Sequence, residues 1–170
     1  VHQKMSEMIK PGITTKELDV AAYKIIKNAG ATPSFLNYQG FPASICTSIN
    51  DVVIHGIPSG RTLQEGDIIS IDVGANFHGY HGDSAWTYAV GRISQENQHL
   101  LEIGEKCLYE GLKHIRHGIR LTDISHAIQV CFLDNGYSTP LDYSGHGIGK
   151  ALHEKPAVMN YGLAGRGPIL

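Results

Sequence analysis

IKPGITTKELDVAAYKIIKNAG (residues 9–30) aligns without a gap on IRHGIRLTDISHAIQVCFLDNG (residues 115–136), an offset of 106 residues. Ile, Gly, Ile, Ala and the closing Gly coincide, and Lys/Arg, Glu/Asp and Leu/Ile pairs fill in around them. Each copy reads as a glycine turn followed by a helix. In the first, Thr14-Thr15-Lys16-Glu17 is a capping-box signature, Leu18, Ala21, Ala22, Ile25 and Ile26 recur at helical spacing, and Gly30 stands where a left-handed terminator belongs. Pro11-Gly12 stops an earlier helix that ends near Ile9. The second copy predicts a helix from Thr122 to Gly136, preceded by a long one from Ser94 to about His117. Between the copies, Asp67–Asn76 and Tyr80–Val90 are rich in β-formers and flank Asn76-Phe77-His78-Gly79, a hairpin. Either any glycine turn with a capped helix resembles any other, or one α/β unit is used twice, the first repeat covering about 1–106 and the second starting near 107; the expected fold class is α+β. The counterpart of the hairpin falls near residue 174. The chain is thus expected to be a single incomplete domain, 1–170, cut short in its second repeat; lacking an initiator Met, it is also expected to begin inside a longer protein.

Composition narrows the function classes. With 170 residues and 42 % apolar content the chain can bury one good core. The formal charge is −2 and Lys and Arg are scattered, which supplies no footprint for nucleic acid. Cys46, Cys107 and Cys131 make neither a disulfide framework nor a zinc quartet, and fit a reducing, cytosolic setting. No apolar run approaches the span of a bilayer, and VHQKMSEM lacks the blocks of a signal peptide.

The hairpin carries the chemistry. A turn centred between Phe77 and His78 sets Asp72 opposite Asp83 on one face. At about 5 Å and an effective dielectric near 20, the two carboxylates repel by roughly 3 kcal/mol. Either the face is exposed and both are solvated, or a divalent cation between them turns repulsion into ligation. Asp72, inside the apolar run IISIDVG, favours the second. GHGIGKALHEKP (145–156) adds His146, flanked by glycines that permit close backbone approach, and His153 seven positions on. A helical zinc-protease motif at His153-Glu154 is excluded, because position 157 is Ala157 and Pro156 opposes a helix. His55 lies in NDVVIHGIP, a loop between an apolar strand and a Gly/Pro turn.

NDVVIHGIP, IDVGANFHGYHGD and GHGIGKALHEKP, in this order and spacing, resemble the type I methionine aminopeptidases of the pita-bread fold, over essentially the whole chain. GHGIG alone does not separate these from prolidases and aminopeptidase P; HGIP favours the methionine aminopeptidases. The resemblance implies a pseudo-twofold fold and removal of the initiator methionine from nascent polypeptides in the cytoplasm, at the ribosome, by a monomer with two divalent metal ions (Co, Fe, Mn or Zn). It implies Asp72, Asp83 and His146 as metal ligands, with Asp83 bridging. His153 is implied to hydrogen-bond substrate and tetrahedral intermediate, His55 to contact the scissile region, and Tyr38, Phe41 and Cys46 to wall the methionine pocket. The family's last two ligands are glutamates C-terminal to residue 170, the first expected near 178, so this chain alone is expected to bind metal weakly and to be nearly inactive. Lys150 replaces the commoner Arg. The alternatives are a non-catalytic pita-bread peptide- or protein-binding module and a prolidase or X-Pro aminopeptidase relative.

Overall fold

The Thr14 hydroxyl accepts the Glu17 backbone N–H while the Glu17 carboxylate accepts the Thr14 N–H, so the capping box forms and starts helix α2, Thr15–Asn28. The computed structural model describes residues 1–170 and resolves them into two compact units, Val1–Asn97 with Ile148–Leu152, and Gln98–Gly147 with His153–Leu170. In the first unit, α1 (His2–Met8) and α2 cover one face of an antiparallel sheet. Its strands are β1 (Thr32–Pro33), β2 (Ile45–Ile49), β3 (Ile68–Phe77) and β4 (Tyr80–Ala89). β4 runs along the whole of β3, and β2 and then β1 share the opposite edge. Met5, Leu18, Ala22 and Ile26 from the helices meet Ile45, Ile49, Ile69, Ile71 and Val73 from the sheet in a closed core. Alternation along β3 leaves Ser70, Asp72 and Gly74 for the other face.

Asp19, buried on α2, ties that core to β2. One of its oxygens accepts the Ser44 N–H at 2.7 Å and the other meets Lys16 Nζ at 2.9 Å. β2 therefore leaves a fixed point just before Cys46.

The second unit holds most of α3 (Gln95–Leu112), α4 (Leu121–Asp134), and a two-stranded sheet of β5 (Ser144–Gly147) and β6 (Glu154–Met159). Helix α3 ends five residues before the predicted His117. Its last bonds tighten to His114 N–H to Gly111 and Ile115 N–H to Leu112 carbonyls, and Gly118 (φ 86°) then turns the chain. Glu154 and Pro156 stand in β6, which agrees with excluding a helical zinc motif there. No helix is long and apolar enough to cross a membrane.

The internal repeat is visible in hydrogen bonds. The Gly12, Leu63, Thr15 and Lys16 N–H groups donate to the Leu63, Ile13, Arg61 and Ser59 carbonyls. In the second unit Gly118, Leu170, Leu121 and Thr122 donate in the same way to Leu170, Ile119, Pro168 and Arg166. Thr15 and Thr122 each exchange side-chain and backbone bonds with the facing residue, Ser59 or Arg166. Gly12 and Gly118, and Gly30 and Gly136, all have positive φ. One helix-start motif has been built twice.

Candidate active site

The two aspartates are not directly opposite. β3 and β4 pair Phe77 with Tyr80, so Asp72 faces Ala85 and Asp83 faces Gly74, a shift of two from the predicted register. The turn sits on His78 (φ 51°) and Gly79 (φ 86°) rather than on Phe77-His78. A two-residue turn of this kind needs positive φ at both central positions, which glycine takes freely and histidine more readily than a bulky apolar residue. A shift of two conserves the face, so the aspartates become diagonal neighbours. They still meet, through a side-chain hydrogen bond.

Asp72 is half-buried and Asp83 exposed. Burial first, and then the neighbouring Asp83 charge, push the Asp72 carboxyl up to about 7. Its Oδ1 is buried with no hydrogen-bond partner. An orphaned buried carboxylate oxygen beside a second carboxylate is the donor set of a hard or borderline cation, and the pair fits one. No group of three or more His, Cys, Asp and Glu side chains is arranged to hold a metal ion.

An apolar cluster shares this sheet face. Cys46 pairs with Asp72 across β2 and β3, and burial, with Asp72 and Asp83 adding, pushes its thiol up to about 12. Tyr38 and Phe41, from a short helical turn and the residue after it, pack with Cys46. Phe35 and Leu152 complete the cluster and were not anticipated. Gly74 was the available signal for Phe35: a glycine inside a strand marks close approach, and a Cβ there would lie 2.4 Å from the Phe35 ring. Leu152 arrives with the 148–152 segment, where the Gly149 carbonyl accepts the His81 N–H at 2.8 Å. The His81 ring is held between Ser34 Oγ and Asn76 Nδ2.

His55 is exposed, at φ 58°, in the loop after β2. The loop lies close against that strand: Gly56 N–H donates to Ser48 Oγ, its carbonyl accepts Thr47 N–H, and a Cβ on it would strike the Thr47 carbonyl. His146 and His153 belong to the second unit, their ring centroids 4.2 Å apart. β5 is bulged between His146 and Gly147, and a Cβ on Gly147 would lie 2.5 Å from the Lys155 carbonyl. The glycine beside His146 is thus required by close backbone approach. His146 Nδ1 lies 2.9 Å from the Gly147 carbonyl, which can only accept, so Nδ1 is the donor in this contact.

Residues 1–170 match Metallopeptidase family M24. The chain belongs to this family. Methionine aminopeptidase 1 of Bacillus subtilis is 52 % identical over 169 residues, covering 99 % of this chain and 68 % of that protein. The crystal structure of methionine aminopeptidase from Rickettsia prowazekii superposes with a TM-score of 0.97 at 40 % identity, over 99 % of this chain and 68 % of that one. Prolidase from Pyrococcus furiosus, 22 % identical, has a TM-score of 0.83 over 99 % of this chain and 48 % of its own, and shares the fold alone. The M24 fold is the pita-bread fold, and the helix-start motif found twice here belongs to its pseudo-twofold repeat. As an M24 member the protein is a metallopeptidase-type hydrolase.

Proposed function

We propose that the protein removes the initiator methionine from nascent polypeptides, acting in the cytoplasm as a monomer with a pair of divalent metal ions. The observation that carries this reading is the orphaned oxygen of Asp72, beside Asp83 and against the apolar cluster of Phe35, Tyr38, Phe41, Cys46 and Leu152. When bound, such metals supply a water acidic enough to act as nucleophile near neutral pH and polarise the scissile carbonyl.

Asp72, Asp83 and His146 would hold the metals, His146 through Nε2. Holding the proton on His146 Nδ1 with a backbone carbonyl fixes the ring for ligation. The apolar cluster takes the methionine side chain, where an unbranched thioether packs well against aromatic edges and sulfur. Its wall stands next to the carboxylates because Cys46 and Asp72 are cross-strand partners. His153 follows Leu152 of that cluster in the chain, and donates a hydrogen bond to the oxygen on which charge develops. His55 contacts the peptide at the scissile bond.

In the full-length, metal-loaded protein, hydrolysis of a Met-Ala-Ser peptide is the direct test, with Ala-Pro as the comparison substrate. The expected result is cleavage of the first and not the second; cleavage of Ala-Pro alone marks a prolidase, and peptide binding with no product marks a binding module. Asp83→Ala abolishes the activity. His153→Ala lowers kcat by about 10²–10³ with metal content unchanged; loss of metal instead makes His153 a ligand.

A further inference from the structure

Cys107 on α3 and Cys131 on α4 have no part in the chemistry above. Their sulfurs lie 2.7 Å apart, the Cys107 thiol donating to the Cys131 sulfur. That contact is within an ångström of the S–S bond length of about 2.05 Å. The two cysteines differ in access. Cys107 has no exposed surface, whereas Cys131 is 8 % exposed and lines a cavity of about 530 Å³ in the second unit, with Lys106, Glu110, His114, Arg116 and Asp134 around it. Cys107 does not reach that cavity. Close packing holds the pair together: a Cβ on Gly111 would lie 2.6 Å from the Ile128 side chain, so α3 and α4 touch one turn beyond the sulfurs, and Ile103 and Phe132 pack around them.

We propose that Cys107 and Cys131 form a reversible two-cysteine redox site, in which a hydroperoxide entering the cavity oxidises Cys131 and Cys107 resolves it to a disulfide joining α3 to α4. In the first step the Cys131 thiolate attacks one peroxide oxygen. An S–O bond forms, the O–O bond breaks, and the departing oxygen takes the proton that the thiol has given up, leaving Cys131 as a sulfenic acid. In the second, Cys107 Sγ attacks the Cys131 sulfur, the S–S bond forms, and the S–O bond breaks as hydroxide leaves with the Cys107 proton as water. Two thiols are oxidised and one hydrogen peroxide is reduced to two waters. A dithiol reductant reverses the change by thiol–disulfide exchange. The order of attack follows from the structure. Cys131 lines the cavity and meets the peroxide first, whereas Cys107 has no exposed surface and reaches only the Cys131 sulfur, to which its thiol donates.

The test is treatment of the folded protein with hydrogen peroxide, then unfolding, alkylation and peptide mass mapping. The expected result is one Cys107–Cys131 linkage, an alkylated Cys46, and return of both thiols on reduction with dithiothreitol. Cys107→Ser accumulates a dimedone-reactive sulfenic acid on Cys131, while Cys131→Ser leaves Cys107 unmodified at the same peroxide dose. Three alkylated thiols in the treated wild-type protein overturn the site. Equal modification of the remaining cysteine in the two variants overturns the assigned order, and the wild-type measurement stands whether or not either variant folds.

Discussion

Asp72 holds its proton to about pH 7 against an ordinary 3.8, because burial and Asp83 both oppose its charge. Between those values the unfolded chain gives up the proton and the folded chain keeps it, so the unfolded state binds fewer protons and stability falls as pH rises. In chelator, the urea midpoint is therefore expected to fall from pH 4.5 to 8 more steeply in the wild type than in Asp72→Asn. A wild type and variant that run parallel would show the oxygen to be solvated. Divalent metal should reverse the slope in the wild type alone, since the cation replaces the proton and binds only the folded state. Gly74 is constrained from the same face: Gly74→Ala drives a Cβ into the Phe35 ring and should cost about 1–3 kcal/mol in urea unfolding, with KM for Met-Ala-Ser rising as the cluster is displaced.

Helix α2 and strand β2 are joined by one buried carboxylate. Asp19→Ala leaves the Ser44 N–H buried and unpaired, and should lower stability by about 1–3 kcal/mol. Asp19→Asn, which keeps an acceptor for that N–H, should recover most of the loss by the same unfolding measurement; equal losses in the two variants would mean that the ion pair with Lys16 matters instead. Thr14→Ala removes the acceptor of the Glu17 N–H and is expected to cost about 1 kcal/mol. The capping box was legible in the sequence because all of its partners lie within four residues. The hairpin register was only half legible: the composition marked a turn, but positive φ at His78 and Gly79 moved its centre by one residue and every cross-strand pair by two.

Across the molecule, burial is uneven. In the first unit two helices and a sheet enclose one twelve-residue apolar cluster. The second has smaller clusters and leaves large apolar side chains on its surface, among them Leu133 at 57 %, Leu141 at 65 % and Leu163 at 74 % exposure. Amide exchange in the 170-residue chain should thus be slowest in α2 and β3 and fastest in β5 and β6; equal protection in the two units would overturn that ranking. What could be read from residue order alone was whatever short-range bonding dictates: the capped helices, their repetition at an offset of 106, the existence of the hairpin, and the identity of the acidic and imidazole side chains. Folding in three dimensions decided which of those side chains meet. It set Asp83 diagonally from Asp72, brought Phe35 and Leu152 to Cys46, and put Cys107 against Cys131. Such contacts join residues far apart in the chain, and they follow from how apolar faces pack and strands register, for which no local spacing is a guide.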